Sequence, residues 1–235
     1  MSDYRSSHLD KGEDYDDIFR LRLRESLLWK AEKQVLADFL ASHFQSSRPS
    51  HLDFACGTGR VLAYLTPFVS RSVGVDVSAA MLEVARRRAP EARILQTDLT
   101  RKNSLTNERF DVITAFRFFP NAQPSLRKEA IEALVPLLSD HGVIIFNNHL
   151  NDRSTTRRLQ RLARRPLGHA MSRDEIDQLC AWGGLQVQAS VGLGILPDFG
   201  DSKAWNRAFV RLDRHVYKNP FMRELCENQI FLLTR

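Results

Sequence analysis

The 235-residue chain has only three cysteines, Cys56, Cys180 and Cys226, widely spaced and odd in number. That pattern makes neither a disulfide framework nor a zinc site, and it points to a reducing, cytoplasmic setting. No apolar run approaches the roughly 20 residues that a membrane-spanning helix needs. The start, residues 1–11, is polar and acidic and does not read as a signal peptide. Repeats and low-complexity tracts are absent too. What the chain does have is 43% apolar and 26% charged residues, enough for one domain with a real core and a solvated exterior.

The net charge is +6, and 27 of the 34 basic residues are arginine. Residues 51–149 hold 12 basic and 10 acidic side chains, whereas residues 153–223 hold 13 and 6. The excess therefore sits late in the chain, which favours a partner or substrate with negative charge over a generally adhesive surface.

The pattern along the chain alternates. Val35, Leu36, Phe39, Leu40 and Phe44 recur at helical spacing, so a helix is expected over about Asp16–Phe44. Strands are expected at His51–Ala55, Val73–Val77, Arg93–Gln96, Phe110–Phe116 and Val143–Asn147, then at Leu185–Val191 and Gln229–Thr234. Between them lie helices over Arg60–Val69 and Ser78–Ala89, one bearing the apolar stripe Leu126 to Leu138, and one opened by a Ser172/Glu175 capping box. A turn at Asp140–Gly142 should deliver the fifth strand, and a further helix is expected near Ala204–Tyr217. Nearly continuous apolar strands between helices predict a doubly wound α/β domain with a mainly parallel sheet. We divide it into an N-terminal helical arm (1–48), a cofactor-binding half (49–152) and a substrate-side half (153–235) with a lid-like insertion at 193–227.

In such sheets ligands bind beyond the carboxyl ends of the strands. The first strand runs into Cys56-Gly57-Thr58-Gly59, where glycines allow a sharp turn and close approach to a ligand. A dinucleotide fingerprint would want a third glycine, but position 62 is Leu62. The second strand ends at Asp76, placed to accept hydrogen bonds from both hydroxyls of a ribose. Asp98, after the third strand, can accept from an adenine amine.

Asp53–Gly59, Val75–Leu82, Gln96–Asp98 and Phe110–Thr114 together resemble, in order, the four motifs of the class I S-adenosylmethionine-dependent methyltransferases. The resemblance covers roughly residues 50–148 and implies seven strands, the last antiparallel. It implies S-adenosylmethionine as cofactor, with the loop of Ala55, Gly57 and Gly59 around its methionine part. Asp53 would organise that loop or bond the amino group, and Asp76 would take the ribose hydroxyls. Val77 and Met81 would flank the adenine, Asp98 and the Leu99 backbone would read its edge, and the Phe116 carbonyl would meet the amino group. The N-terminal arm, through Tyr15, would contact the cofactor or else remain a surface tail.

The acceptor side is less definite. The segment Arg117-Phe118-Phe119-Pro120 lacks the Asn/Asp-Pro-Pro-aromatic motif used on base or amide nitrogens, and it has no cysteine for a covalent adduct. The paired carboxylates of metal-dependent catechol-type enzymes are also missing. His149, at the end of the fifth strand, is a candidate general base or acceptor-orienting residue, or simply lines the pocket. Arg117 either pairs with an anionic group of the acceptor or bridges secondary elements. The leading reading is metal-independent methylation of oxygen or nitrogen on a small molecule: a sugar, an amine or a natural-product intermediate. The alternative is an RNA or protein methyltransferase using the arginines of the 153–165 stretch. A catalytically silent binding subunit and a nicotinamide-dependent oxidoreductase fit the motifs less well.

Overall fold

A strand buried on both faces must be apolar at consecutive positions, because its side chains alternate between the two sides. The computed structural model, which describes residues 22–45, 47–165, 169–197 and 219–235 together with Ala208 and Leu212, shows this in its central strands. Ile113, Ile144 and Phe146 enter a core on one side of the sheet, while Val112, Val143 and Ile145 enter a second core on the other. Helices α4 (Pro124–Leu134) and α6 (Arg173–Gly183) cover the first side. Helices α1 (Leu23–Phe44) and α2 (Arg60–Leu65) cover the second.

The sheet has seven strands: β1 (Ser50–Phe54), β2 (Arg71–Asp76), β3 (Arg93–Gln96), β4 (Phe110–Ala115), β5 (Leu138–Asn148), β6 (Gln186–Leu193) and β7 (Asn228–Thr234). Their order is β3-β2-β1-β4-β5-β7-β6. Strand β7 pairs antiparallel with both β5 and β6, and the pairs among β1 to β5 are parallel. Strand order reverses between β1 and β4, which opens a crevice at their carboxyl ends. Two other helices flank the sheet, α3 (Ala79–Arg88) after β2 and α5 (Thr155–Leu162) after β5. A last short helix, α7 (Pro220–Arg223), precedes β7. Among the described residues, no helix is long and apolar enough to cross a membrane.

Local signals in the sequence are met at the helix ends. Ser78 caps α3 by accepting from the Met81 N–H. Ser172 and Glu175 form the reciprocal capping box of α6, which closes on Gly184 in the left-handed region. Two expectations shift. Asp140–Gly142 is no separate turn: β5 starts at Leu138, and its pairing with β4 slips between Phe110 and Val112. The backbones crowd there, and a Cβ on Gly142 would lie 2.8 Å from the Phe110 carbonyl oxygen. Helix α2 also ends early, at Leu65, and continues as a single 3-10 turn containing Pro67. The expected helix near Ala204–Tyr217 and the first residues of the N-terminal arm lie outside the described residues, apart from Ala208 and Leu212.

One charged side chain sits wholly inside the first core. Arg127 of α4 donates from Nε to the carbonyls of Phe119 (2.7 Å) and Ala122 (2.8 Å), and from Nη1 to Glu175 of α6 (2.6 Å). Arg127→Ala strands two buried carbonyls, each worth about 1–3 kcal/mol, so a loss of roughly 3 kcal/mol is expected. Thermal denaturation should show it as a fall in Tm of roughly 6–12 °C.

Candidate active site

The chain after β1 cannot continue as strand or helix, because Ala55, Gly57 and Gly59 all take positive φ (53°, 54° and 74°). Glycine accepts this conformation readily, whereas an alanine there is strained. Gly59 answers a second constraint: a Cβ would lie 2.9 Å from that of Ala85, so its absence lets α2 and α3 close together. The turn is clamped from the next strand. Asp76 accepts from the Gly57 N–H (2.8 Å) through Oδ2 and from the Ser78 N–H (2.9 Å) through Oδ1. These two bonds fix the plane of its carboxylate at the crevice mouth.

Behind the turn, a polar file crosses the sheet inside otherwise apolar strands. Asp53 accepts from the Leu62 N–H (3.0 Å) and the Thr114 hydroxyl (2.7 Å). The Thr114 oxygen lies 2.8 Å from His51 Nε2, and His51 Nδ1 lies 3.0 Å from the Ser72 hydroxyl. With Thr114 donating to Asp53, the consistent assignment puts the imidazole proton on Nε2, while Ser72 donates to Nδ1. Burial holds His51 neutral, its pKa lowered to about 3. Burial also pushes Asp53 up to about 7, against the opposing bonds from Thr114 and Leu62.

Asp53, Ala55, Gly57, Asp76, Val77, Met81, Asp98, Leu99, Phe116 and Arg117 all line one crevice at the strand tips. Gly59 lies behind it as the start of α2, and Tyr15 lies outside the described residues. The residues present suit an adenosyl group. Val77, Met81 and Leu99 offer apolar walls for a planar base, between the carboxylates of Asp76 and Asp98. Asp98 is held in its loop by the Thr100 N–H (3.0 Å) and hydroxyl (2.6 Å).

The acceptor-side candidates are placed differently. Arg117 has φ +59° and, with Ala55, is one of two non-glycine residues in the crevice in this strained region. Its backbone N–H donates to Asn147 Oδ1 (2.6 Å), and its carbonyl accepts from Asn121 (2.6 Å). Its guanidinium pairs with Glu25 of α1 at 2.6 Å, so it bridges elements. His149 does not line this crevice but a neighbouring cavity. Burial, then the nearby charges of Arg117 and Arg60, hold its pKa well below the usual imidazole range. In the basic stretch, Arg157 donates to the His169 carbonyl, Arg158 to the Arg153 carbonyl, and Arg161 pairs with Asp152. These three arginines thus make exposed bonds to neighbouring backbone and to Asp152.

Sequence reasoning missed a buried hub above the crevice. Glu32 of α1 pairs with Arg60 (3.1 Å) and accepts from Asn228 (2.7 Å) and Asn147 (3.3 Å). Arg60 lines the crevice and stacks over the Trp29 ring at 4.1 Å. The available signal was a glutamate on the apolar face formed by Leu28, Val35, Leu36 and Phe39.

The raised pKa of Asp53 has a measurable consequence. Unfolded, this residue gives up its proton near pH 3.8, and folded near pH 7. Between those values the folded protein holds the extra proton, so the residue's contribution to stability is full below about pH 4 and is lost as the pH rises to about 7. Asp53→Asn cannot ionise, so its denaturation free energy should decline less than the wild type's between about pH 4.5 and 7.5. Urea titrations at the two pH values measure this, and equal declines would contradict it.

Comparison with known proteins agrees with this geometry. A family model described as a methyltransferase domain matches residues 52–142. A dTDP-4-amino-2,3,4,6-tetradeoxy-D-glucose N,N-dimethyltransferase of Saccharopolyspora spinosa is 34% identical over 109 residues, which are 46% of this chain and 41% of that protein. A dTDP-3-amino-3,4,6-trideoxy-alpha-D-glucopyranose N,N-dimethyltransferase of Streptomyces venezuelae is 34% identical over 87 residues, 37% of this chain and 36% of that protein. The chain thus spans about two fifths of the length of these curated relatives. The solved structure of an S-adenosylmethionine-dependent methyltransferase from Clostridium acetobutylicum has the same fold, with a TM-score of 0.65 at 16% identity over 94% of this chain and 97% of that one. The clamped glycine turn and the strand order agree with the family model: residues 52–142 of this chain match a methyltransferase domain, in the fold of the S-adenosylmethionine-dependent methyltransferases.

Proposed function

We propose that this protein transfers a methyl group from S-adenosylmethionine, without a metal, to a small-molecule acceptor, and that the acceptor atom is an amine nitrogen. The observation that carries the transfer is the crevice itself: Asp76, locked by Gly57 and Ser78, lines it together with Asp98 and the apolar Val77, Met81 and Leu99. The sulfonium of the cofactor supplies a methyl carbon to an acceptor lone pair in line with the departing sulfur.

Each residue has a part in that arrangement. The turn at Ala55 and Gly57 holds the methionine end, with the Phe116 carbonyl receiving its amino group. Asp76 binds the ribose hydroxyls, while Asp98 and Leu99 read the base between Val77 and Met81. Arg117 acts through its backbone, which Asn147 holds while Glu25 engages its guanidinium, and Arg60, tied to Glu32 of α1, lines the crevice. Tyr15 and the rest of the arm, with the 193–227 insertion, would shield the acceptor from water.

The choice of nitrogen follows from His149. His149 lies outside the crevice, and burial disfavours its protonated form, so it is poorly placed to take a proton from an alcohol there. An amine that has shed its proton to solvent brings its own lone pair, so it needs orientation rather than a base of high pKa in the crevice. The similarity to amino-sugar N,N-dimethyltransferases supports the same atom. The scattered cysteines support a cytoplasmic setting.

Titration calorimetry of the wild type with S-adenosylmethionine should show one saturable site. Asp76→Ala removes a charged acceptor, worth about 1.5–3 kcal/mol, and should weaken that binding roughly 10- to 100-fold. Unchanged affinity in a variant that melts like the wild type would overturn the assignment.

A further inference from the structure

Beside the cofactor crevice, the end of β5, the first turns of α5 and the residue before β7 enclose a second cavity of about 190 Å³. One water occupies roughly 30 Å³ of liquid, so this space is large enough for more than a bridging solvent molecule. Its lining is polar, with His149, Asn151, Thr156, Arg157, Gln160 and Glu227 all contributing.

Three of these groups already have protein partners. The Asn151 amide donates to the carbonyls of Glu224 (3.0 Å) and Cys226 (2.8 Å), and Arg157 donates to the His169 carbonyl (2.8 Å). Glu227 pairs with Arg24 at 2.5 Å. Two do not: His149 Nδ1 and Thr156 Oγ1 are buried and make no hydrogen bond within the protein. Leaving such a group unmade costs about 1–3 kcal/mol, and here two of them line one cavity. Whatever occupies the cavity can satisfy both groups at once.

The chemistry of the lining selects the ligand. Arg24 already neutralises Glu227, and Arg157 spends one N–H on a carbonyl, so the groups left to select a ligand are largely neutral donors and acceptors beside one arginine. The Thr156 hydroxyl, the Gln160 amide and a neutral imidazole each donate and accept. Their complement is a set of groups that also donate and accept, which describes hydroxyls. We infer that this cavity is the subsite for the hydroxyl-bearing ring of the acceptor, held by hydrogen bonds to His149 and Thr156. Its part in methyl transfer rests on the function proposed above, whereas its ligand chemistry does not.

The test uses the full chain and two probes, methyl 3-amino-3-deoxy-α-D-glucopyranoside and cyclohexylamine, an amine without ring hydroxyls. Both are titrated while NMR follows the His149 ring and the Thr156 methyl. The amino sugar should shift both signals saturably and cyclohexylamine should not. Thr156→Val keeps the side chain's shape and breaks no bond within the protein, so it should fold normally. It should bind the sugar roughly five- to tenfold more weakly, the equivalent of one neutral hydrogen bond, with S-adenosylmethionine affinity unchanged. Equal shifts from both probes, or wild-type sugar affinity in Thr156→Val, would mean that the cavity holds only water and would overturn the inference. Saturable sugar binding in a wild type that does not bind S-adenosylmethionine would instead uphold the subsite and overturn the proposed function.

Discussion

The carboxylate of Glu32 ties two covering helices to the ends of two paired strands. It lies inside the protein, bonded to Arg60 at the start of α2, to Asn147 near the end of β5 and to Asn228 at the start of β7. Asn147 in turn holds the Arg117 backbone just past β4. A buried ion pair is a weak source of net stability, yet removing one partner costs about 3–5 kcal/mol, because the other charge is left without compensation. The hub therefore specifies position more than it adds free energy. It fixes where α1 crosses the strand tips, and so where the crevice ends.

A second polar file runs beneath the glycine turn, from Ser72 through His51 and Thr114 to Asp53. It links β2, β1 and β4, the three strands around the point where the order reverses. Asp53 then reaches the Leu62 N–H in α2. The file and the hub approach the crevice from opposite sides, one from within the sheet and one from the covering helix. Between them they hold the strained backbone of Ala55 and Arg117, which an isolated turn would not keep.

The cofactor half was legible because its signals are local. A glycine turn, a carboxylate at a strand tip and a serine cap each follow from a few adjacent residues, and Asp76, Ser78 and Asp98 stand where the sequence placed them. The hub was not legible, because Glu32, Arg60, Asn147 and Asn228 are far apart in the chain and meet only through tertiary packing. Arg117 shows the same limit. Its position after β4 was readable, but its partner Glu25 lies 92 residues earlier. The slip in β5 escaped for a different reason: Asp140-His141-Gly142 has turn chemistry, and the β4 ladder absorbs it as an irregularity.

The pairing of β6 with β7 sets one more property of this architecture. Leu193 and Asn228 are register partners, so the chain leaves the sheet and rejoins it at the same rung. The closure entropy of such an excursion grows only with the logarithm of its length, about 0.6 kcal/mol per doubling. Closure therefore sets little limit on the length of that segment, while its two ends are tied down, Ile195 by Thr155 and Glu227 by Arg24. A segment of another length between them would leave the β6–β7 register, and the glycine turn on the far side of the sheet order, as they are.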